Sequence, residues 1–311
     1  MENKEMRAVY CDTLLELAAK NPAIMVVEAD LMRASGTMPF KTAYPQRAVD
    51  VGVAEANLIG VSAGLSVAGK IPFAATFGCF ASRRVFDQFF ISANYAGLNV
   101  KLVGTDPGIS AAFNGGTHMP FEDIGIMKLI PGLTILEPCD PVSLKALVTA
   151  CAEHTGCTYM RLHRKPIQPV YPENEVFELG KGKVLRDGSD ITIVALGAIL
   201  VPEALKAADA LSNRGVSAAV IDMHTVKPLD EDLILSYAKK TRGIVTAENH
   251  QVCGGLGASV ANLLALHHPT PMAMVGIQDQ FGQVGTQQWL QQHYRLTAEE
   301  IVNKAISLLD M

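Results

Sequence analysis

The chain has 311 residues, 49% of them apolar and 18% charged, with 26 basic against 31 acidic side chains for a formal net charge of −5. That length fits two domains at roughly 150 residues each, and a charged fraction under the ordinary value of about 25% leaves apolar surface to bury between subunits. Disorder, which needs low hydrophobicity and high charge, is excluded, and an acidic chain without a basic run gives no basis for nucleic-acid binding.

The longest apolar stretch, Ile191 to Val201, is interrupted by Thr192 and Gly197 and is too short to cross a bilayer. The first residues, Met1-Glu2-Asn3-Lys4-Glu5, lack the basic start and apolar core of a secretory signal. A cytoplasmic protein without membrane contact is the expectation. The cysteines at 11, 79, 139, 151, 157 and 253 form no Cys-x-x-Cys pair, which favours reduced core thiols over a disulfide frame or a zinc site.

In chain order, Glu5 to Lys20 carries apolar residues at helical spacing and Asn21-Pro22 stops it. Strands follow at Ile24 to Val27, Ala48 to Val51, Phe73 to Thr76, Val100 to Val103, Thr134 to Leu136 and Cys157 to Leu162. Helices at Ala54 to Ala68, Arg84 to Ala96 and Pro141 to His154 separate them. Strands alternating with helices of this length predict parallel sheets flanked by helices, an α/β fold. Pro166, Pro169 and Pro172, with charged and Gly-rich sequence up to Gly188, read as an interdomain linker over 166–188. It divides a first domain, 1–165, from a second, 189–311. The second repeats the pattern, with strands at Ile191 to Ala195, Ser217 to Asp222, Ile244 to Ala247 and Met272 to Gly276. Its helices are Pro202 to Arg214, Glu231 to Thr241, Gly257 to Ala265 and one from Ala298.

Parallel sheets bind ligands beyond the carboxyl ends of their strands, so the strand-to-helix junctions hold the candidates. At the first, Asp50-Val-Gly-Val-Ala-Glu55, the glutamate opens a helix rich in small residues (Ala56, Gly60, Ala63, Gly64, Ala68) that would let another helix approach closely. Taken alone, Glu55 is as well explained by the helix dipole. At the second, Phe77 and Phe80 precede Arg83, an arrangement able to stack on a flat ring beside a positive charge. At the third, Asn114-Gly-Gly-Thr-His118 allows close backbone approach and presents an imidazole.

Together, and in this order, Gly-Val-Ala-Glu55, Ala-Thr-Phe77-x-x-Phe80, Gly-Thr-His118-x-Pro-x-Glu and Ile130-Pro-Gly-Leu-Thr-Ile-Leu-Glu-Pro-x-Asp140 resemble the pyrimidine-binding domain of transketolases. Asp222-Met-His-Thr-Val-Lys-Pro-Leu-Asp230 and Thr246-Ala-Glu-Asn-His-x-x-x-Gly-Gly-Leu-Gly257 resemble their C-terminal domain. The resemblance spans essentially the whole chain. It implies thiamine diphosphate as cofactor and transfer of a two-carbon ketol unit between sugars. The Gly-Asp-Gly segment with which family enzymes grip Mg²⁺ and the diphosphate does not occur here. The chain therefore resembles the C-terminal subunit of a split transketolase. That implies a separate N-terminal subunit holding Mg²⁺, with two copies of each, self-association through the pyrimidine domain and active sites at subunit interfaces.

The resemblance also assigns roles. Glu55 hydrogen-bonds the aminopyrimidine and Phe80 stacks on it, with Phe77 and Arg83 beside the cofactor. His118 contacts the donor sugar near its reacting carbon, and Arg164 receives the substrate's anionic end. Asn114 stands where an aspartate meets the donor's C2 hydroxyl, and Glu28 near where a serine helps bind phosphate; both are expected at the substrate. These departures, and Arg83 with Asp87-Gln88, which resemble deoxyxylulose-phosphate synthase, leave the substrates open. A pyruvate-using relative, such as a 2-oxo acid dehydrogenase E1 β-like subunit, is one alternative, and a non-catalytic scaffold another.

Overall fold

A computed structural model describes residues 4–310. Seven strands form the first sheet in the order β10-β5-β6-β4-β3-β1-β2, and five the second in the order β12-β11-β8-β9-β7. The first six are β1 (Ile24–Glu28), β2 (Ala48–Asp50), β3 (Ile71–Phe77), β4 (Lys101–Thr105), β5 (Thr134–Leu136) and β6 (Thr158–Leu162). The others are β7 (Lys183–Arg186), β8 (Ile191–Ala195), β9 (Ala218–Asp222), β10 (Thr225–Lys227), β11 (Ile244–Gln251) and β12 (Met272–Ile277). Pairing is parallel except at β10 with β5 and β7 with β9. Every residue of β1, β4, β6, β8 and β9 is buried. That is why these strands read as apolar runs, since helices cover both faces.

The expected α/β architecture is present, with instructive local differences. The helix expected from Arg84 begins earlier, at Gly78, and breaks into Gly78–Arg83, Phe86–Gln88 and a π-helical stretch Phe89–Tyr95. A Cβ on Gly78 would lie 2.9 Å from the Pro120 ring, so glycine is what lets this helix start against β4 and its loop. The helix expected from Pro202 starts at Gly197, whose φ of +76° suits the turn, and carries the proline inside. Part of the stretch expected as linker is ordered as β7, an edge strand whose Val184 pairs with Ile221. Short helices at Met32–Ser35, Met38–Ala43, Asp123–Met127 and Gln287–His293 lack the length for a clear apolar period. The helix Pro141–Glu153 is fixed by a capping box between Asp140 and Ser143 and by proline in its first turn.

One strand departs from the division into halves. Thr225–Lys227 follows β9 of the second sheet yet pairs antiparallel with β5 of the first. Nearby, the fully buried Arg161 of β6 bridges the two units. Its Nε donates to Asp123 at 2.8 Å and Nη1 to Glu137, while Nη2 donates to the Asn249 carbonyl on β11 at 3.0 Å. The Asn249 side chain in turn accepts from Ile109 N–H and donates to the Pro107 carbonyl. Removing one partner of a buried ion pair leaves the others charged and unpaired, at a cost of about 3–5 kcal/mol. Arg161→Ala is expected to lose that much in chemical denaturation; a loss under about 1 kcal/mol would show that the seam is held elsewhere.

Candidate functional site

Glu28 ends β1, Glu55 follows β2, Phe77 ends β3, His118 lies in the loop after β4 and Arg164 follows β6, all at the carboxyl edge of the first sheet. Glu55 is the first residue of the helix Glu55–Val67 and is buried, with only 8% of its side chain exposed. Its Oε1 accepts from Arg84 Nη1 at 2.8 Å, and the Arg84 guanidinium carbon lies 3.9 Å from the centre of the Phe80 ring. Phe80, Phe77 and His118 form a cluster of rings, with centroids 6.1 Å apart for the two phenylalanines and 5.3 and 5.9 Å from each to the imidazole. Thr117 Oγ1 meets His118 Nδ1 at 2.9 Å, so Nε2 is the nitrogen available to a ligand. Cys79, Phe80, Arg83, Arg84, Thr117 and His118 line a cleft of about 420 Å³.

Arg164 sits further along the same edge, its guanidinium carbon 5.3 Å from the Phe77 ring centre. Both its Nε and Nη2 reach Asp106, at 2.7 and 2.6 Å, and Nη1 donates to the Ala34 carbonyl. Arg7 donates to the same carbonyl, so two arginines converge on the short helix Met32–Ser35 that follows β1. Burial pushes the Asp106 carboxyl up, and Arg164 opposes that shift.

The loop bearing His118 is tense and clamped. Ala112 has φ +49° and ψ −115°, outside the regions open to a residue with a Cβ. Gly116 packs so tightly on Gly282 that a Cβ would fall 2.2 Å from the Gly282 carbonyl oxygen. Arg83 holds the loop from the other side, donating to the Thr117 carbonyl at 2.8 Å and pairing with Glu122 at 3.3 Å.

The structure thus gathers Glu55, Phe77, Phe80, Arg83 and His118, with Arg164 one ring away. Asn114 is exposed at the end of the Gly108–Asn114 turn, outside the residues lining the cleft. Glu28, expected at the substrate, is corrected: it is fully buried, its Oε1 accepting from Ser35 and Thr37 at 2.5 and 2.6 Å. The helix Met32–Ser35 folds over it and brings those hydroxyls. Arg84 lies outside the expected set, although its place four residues after Phe80 would put both on one helix face. Five of the six cysteines are buried and all are free thiols. Among the described residues no group of three or more His, Cys, Asp or Glu could hold a metal ion, and no helix is long and apolar enough to cross a membrane.

The fold is an α/β one of two mostly parallel sheets, with the candidate residues gathered at the carboxyl edge of the first. Comparison with known proteins gives the particular family. Residues 2–169 match the transketolase pyrimidine-binding domain and 180–301 the transketolase C-terminal domain, so the chain belongs to the transketolase family. It is 50% identical to the 6-deoxy-6-sulfo-D-fructose transketolase subunit SqwH of Clostridium sp. (strain MSTE9), covering 98% of this chain and 94% of that one. It is 35% identical to a subunit of the apulose-4-phosphate transketolase of Phocaeicola vulgatus, over 97% of each. Among solved structures, a split-gene transketolase described as an inactive β4 tetramer superposes with a TM-score of 0.92 at 41% identity, over 98% of both chains.

Burial, opposed by the Ser35 and Thr37 hydroxyls and reinforced by Asp50, pushes Glu28 up from 4.5 to about 7. The folded chain therefore keeps a proton there that the unfolded chain releases above the ordinary value. Glu28 costs least below about pH 4.5, and its cost grows as pH rises towards 7. Glu28→Gln is expected to stabilise the chain by about 1–3 kcal/mol at pH 8 and by much less at pH 5, compared by urea denaturation. A difference independent of pH would refute this.

Proposed function

We propose that this chain is the C-terminal subunit of a two-subunit, thiamine-diphosphate-dependent transketolase that moves a two-carbon ketol unit from a ketose to an aldose. The observation that carries the reading is the linkage of buried Glu55 to the Phe80 ring through Arg84, which bonds the carboxylate and covers the ring, within a chain that aligns end to end with split transketolase subunits. The residues fit the pyrimidine half of the cofactor: a carboxylate to hydrogen-bond a ring nitrogen and an aromatic face to stack on. Among the described residues no group of three or more His, Cys, Asp or Glu could hold a metal ion, and we assign Mg²⁺ and the diphosphate to a separate N-terminal subunit.

When bound, thiamine diphosphate would supply the nucleophilic carbon that takes up the two-carbon unit. The chain's own tasks are then distinct. Glu55 holds the pyrimidine nitrogen by a hydrogen bond in a water-poor pocket. Phe80 walls the cleft, with Phe77 packed against it. His118, through Nε2, holds or moves a proton at a sugar oxygen close to the reacting carbon. Arg83 acts at one remove, by clamping the His118 loop. Arg164, preset by Asp106, faces the far end of the sugar, where a fork of N–H donors suits an oxyanion. Asn114, exposed at the edge of that loop and outside the lining of the cleft, is the residue we assign to a sugar hydroxyl.

The two relatives act on a sulfonate-bearing and a phosphate-bearing sugar by their names, and the closer similarity of the first makes 6-deoxy-6-sulfo-D-fructose our proposed donor. The exposed face of the Glu55 helix, with Val53, Gly60, Gly64 and Val67, is proposed as the contact between two copies of this chain. Two copies of each subunit would then complete the enzyme.

Three outcomes are expected. With its N-terminal partner, the chain turns over the sulfo-ketose with an aldose phosphate; turnover of pyruvate in its place would overturn the substrate class. Glu55→Gln leaves assembly intact by sedimentation but lowers turnover by at least about a hundredfold, and full activity would refute the role and favour a scaffold. Alone, the chain is inactive and binds thiamine diphosphate weakly, and tight calorimetric binding would contradict a split site.

A further inference from the structure

Two adjacent arginines follow Phe80, and they are used differently. Arg83 is anchored to a backbone carbonyl and a carboxylate of the His118 loop. Arg84 has neither a loop nor a backbone carbonyl to hold. Its guanidinium donates to Glu55 Oε1 at 2.8 Å and lies over the Phe80 ring at 3.9 Å, while about half of its side chain (52%) remains exposed. Those two partners are the two that the proposed function reserves for the aminopyrimidine. A guanidinium is itself flat, carries N–H donors in its plane and stacks on aromatic faces, so it meets the same pair of demands as the ring.

We propose that Arg84 is a gate on the pyrimidine site, a side chain that occupies the space between Glu55 and Phe80 and must swing out for the cofactor ring to enter. The inference rests on the cofactor reading of Glu55 and Phe80 and adds a residue that the reading does not contain. Glu55 cannot give Oε1 to Arg84 and to a heterocycle at the same geometry, and one face of Phe80 cannot carry two stacked groups. Binding is therefore an exchange of partners, and Arg84 lowers the apparent affinity by the strength of its own contacts. Those contacts are weak ones, a half-exposed ion pair and a cation over an accessible ring, which keeps the gate openable. Arg84 also sits at the turn that ends the helix Gly78–Arg83, shortly before the π-helical stretch Phe89–Tyr95, a form of irregularity common beside functional sites.

The test is equilibrium binding of thiamine diphosphate with Mg²⁺ to the complex reconstituted with the N-terminal subunit, followed by calorimetry with no turnover required. Arg84→Ala is expected to lower Kd roughly threefold to thirtyfold, the combined strength of one such ion pair and one cation–ring contact. Arg84→Lys, which keeps the charge and loses the plane, should fall between the variant and the parent. In a Glu55→Gln background the gain from Arg84→Ala should shrink, because the pair being released is already broken. An unchanged Kd in Arg84→Ala overturns the gate, and a raised Kd overturns it by making Arg84 a cofactor contact. Failure of the underlying reading looks different: Phe80→Ala and Glu55→Gln would each leave Kd unaltered, and the gate would fall with it. Circular dichroism of each variant confirms that the fold is retained.

Discussion

The whole arrangement depends on one guanidinium placed where no water can reach it. Arg161 stands on an interior strand of the first sheet, and a charge in that position is tolerable only when every donor finds an acceptor. Asp123, at the start of the helix Asp123–Met127, and Glu137, just after β5, supply the counter-charge, while Asn249 supplies a carbonyl from the second sheet. Glu137 is itself pressed against the turn at Gly197, where a side chain would collide with its carboxylate, and its N–H donates to the His224 carbonyl. The two sheets are thus set in a fixed relation by the need to satisfy a single buried ion. Asn249 carries that relation outward, because its side chain grips the Pro107–Ile109 turn at the base of the loop that ends in His118.

From that base the site is built by carboxylates and arginines that pair before any ligand is considered. Asp106 presets Arg164, Glu122 presets Arg83 and Glu55 engages Arg84. Positive charges so arranged lose little freedom when they meet an anion, which is the advantage of a fork held in advance. The His118 loop is treated the same way, pinned at Thr117 by Arg83 and at Gly116 by the close approach of Gly282, with its strain held at Ala112. Rigidity is invested at the end of the site that holds His118 and Arg164. The Glu55 end is left to the more exposed Arg84.

Much of this is legible in the residues. The alternation of apolar runs and helical periods implies the α/β class, and Glu55, Phe77, Phe80 and His118 stand out because each belongs to a motif at or beyond the carboxyl end of a strand. What escapes has physical reasons. Glu28 is misplaced because a strand-end carboxylate looks open from its position, and the closing of Ser35 and Thr37 over it is a tertiary event with no periodicity. Arg84 is hidden because helix spacing pairs it with Phe80 while its contact with Glu55 joins two helices distant in sequence. The early start at Gly78 is invisible for a related cause, since it depends on contact with Pro120. Within the stretch from Lys165 to Gly188, prolines and glycines mark irregular chain correctly near its start, yet Lys183–Arg186 is a strand because β9 offers it an edge.

The strand Thr225–Lys227 has a bearing on what counts as a module here. It lies in the sequence of the second unit and completes the sheet of the first, so the border drawn by strand pairing and the border drawn by chain order do not coincide. A first unit severed at the proline-rich stretch would carry β5 as a bare edge, with its backbone donors and acceptors open to any other strand. The two halves of this chain are therefore bound by the sheet itself, since a cut through the middle would part it from its own border.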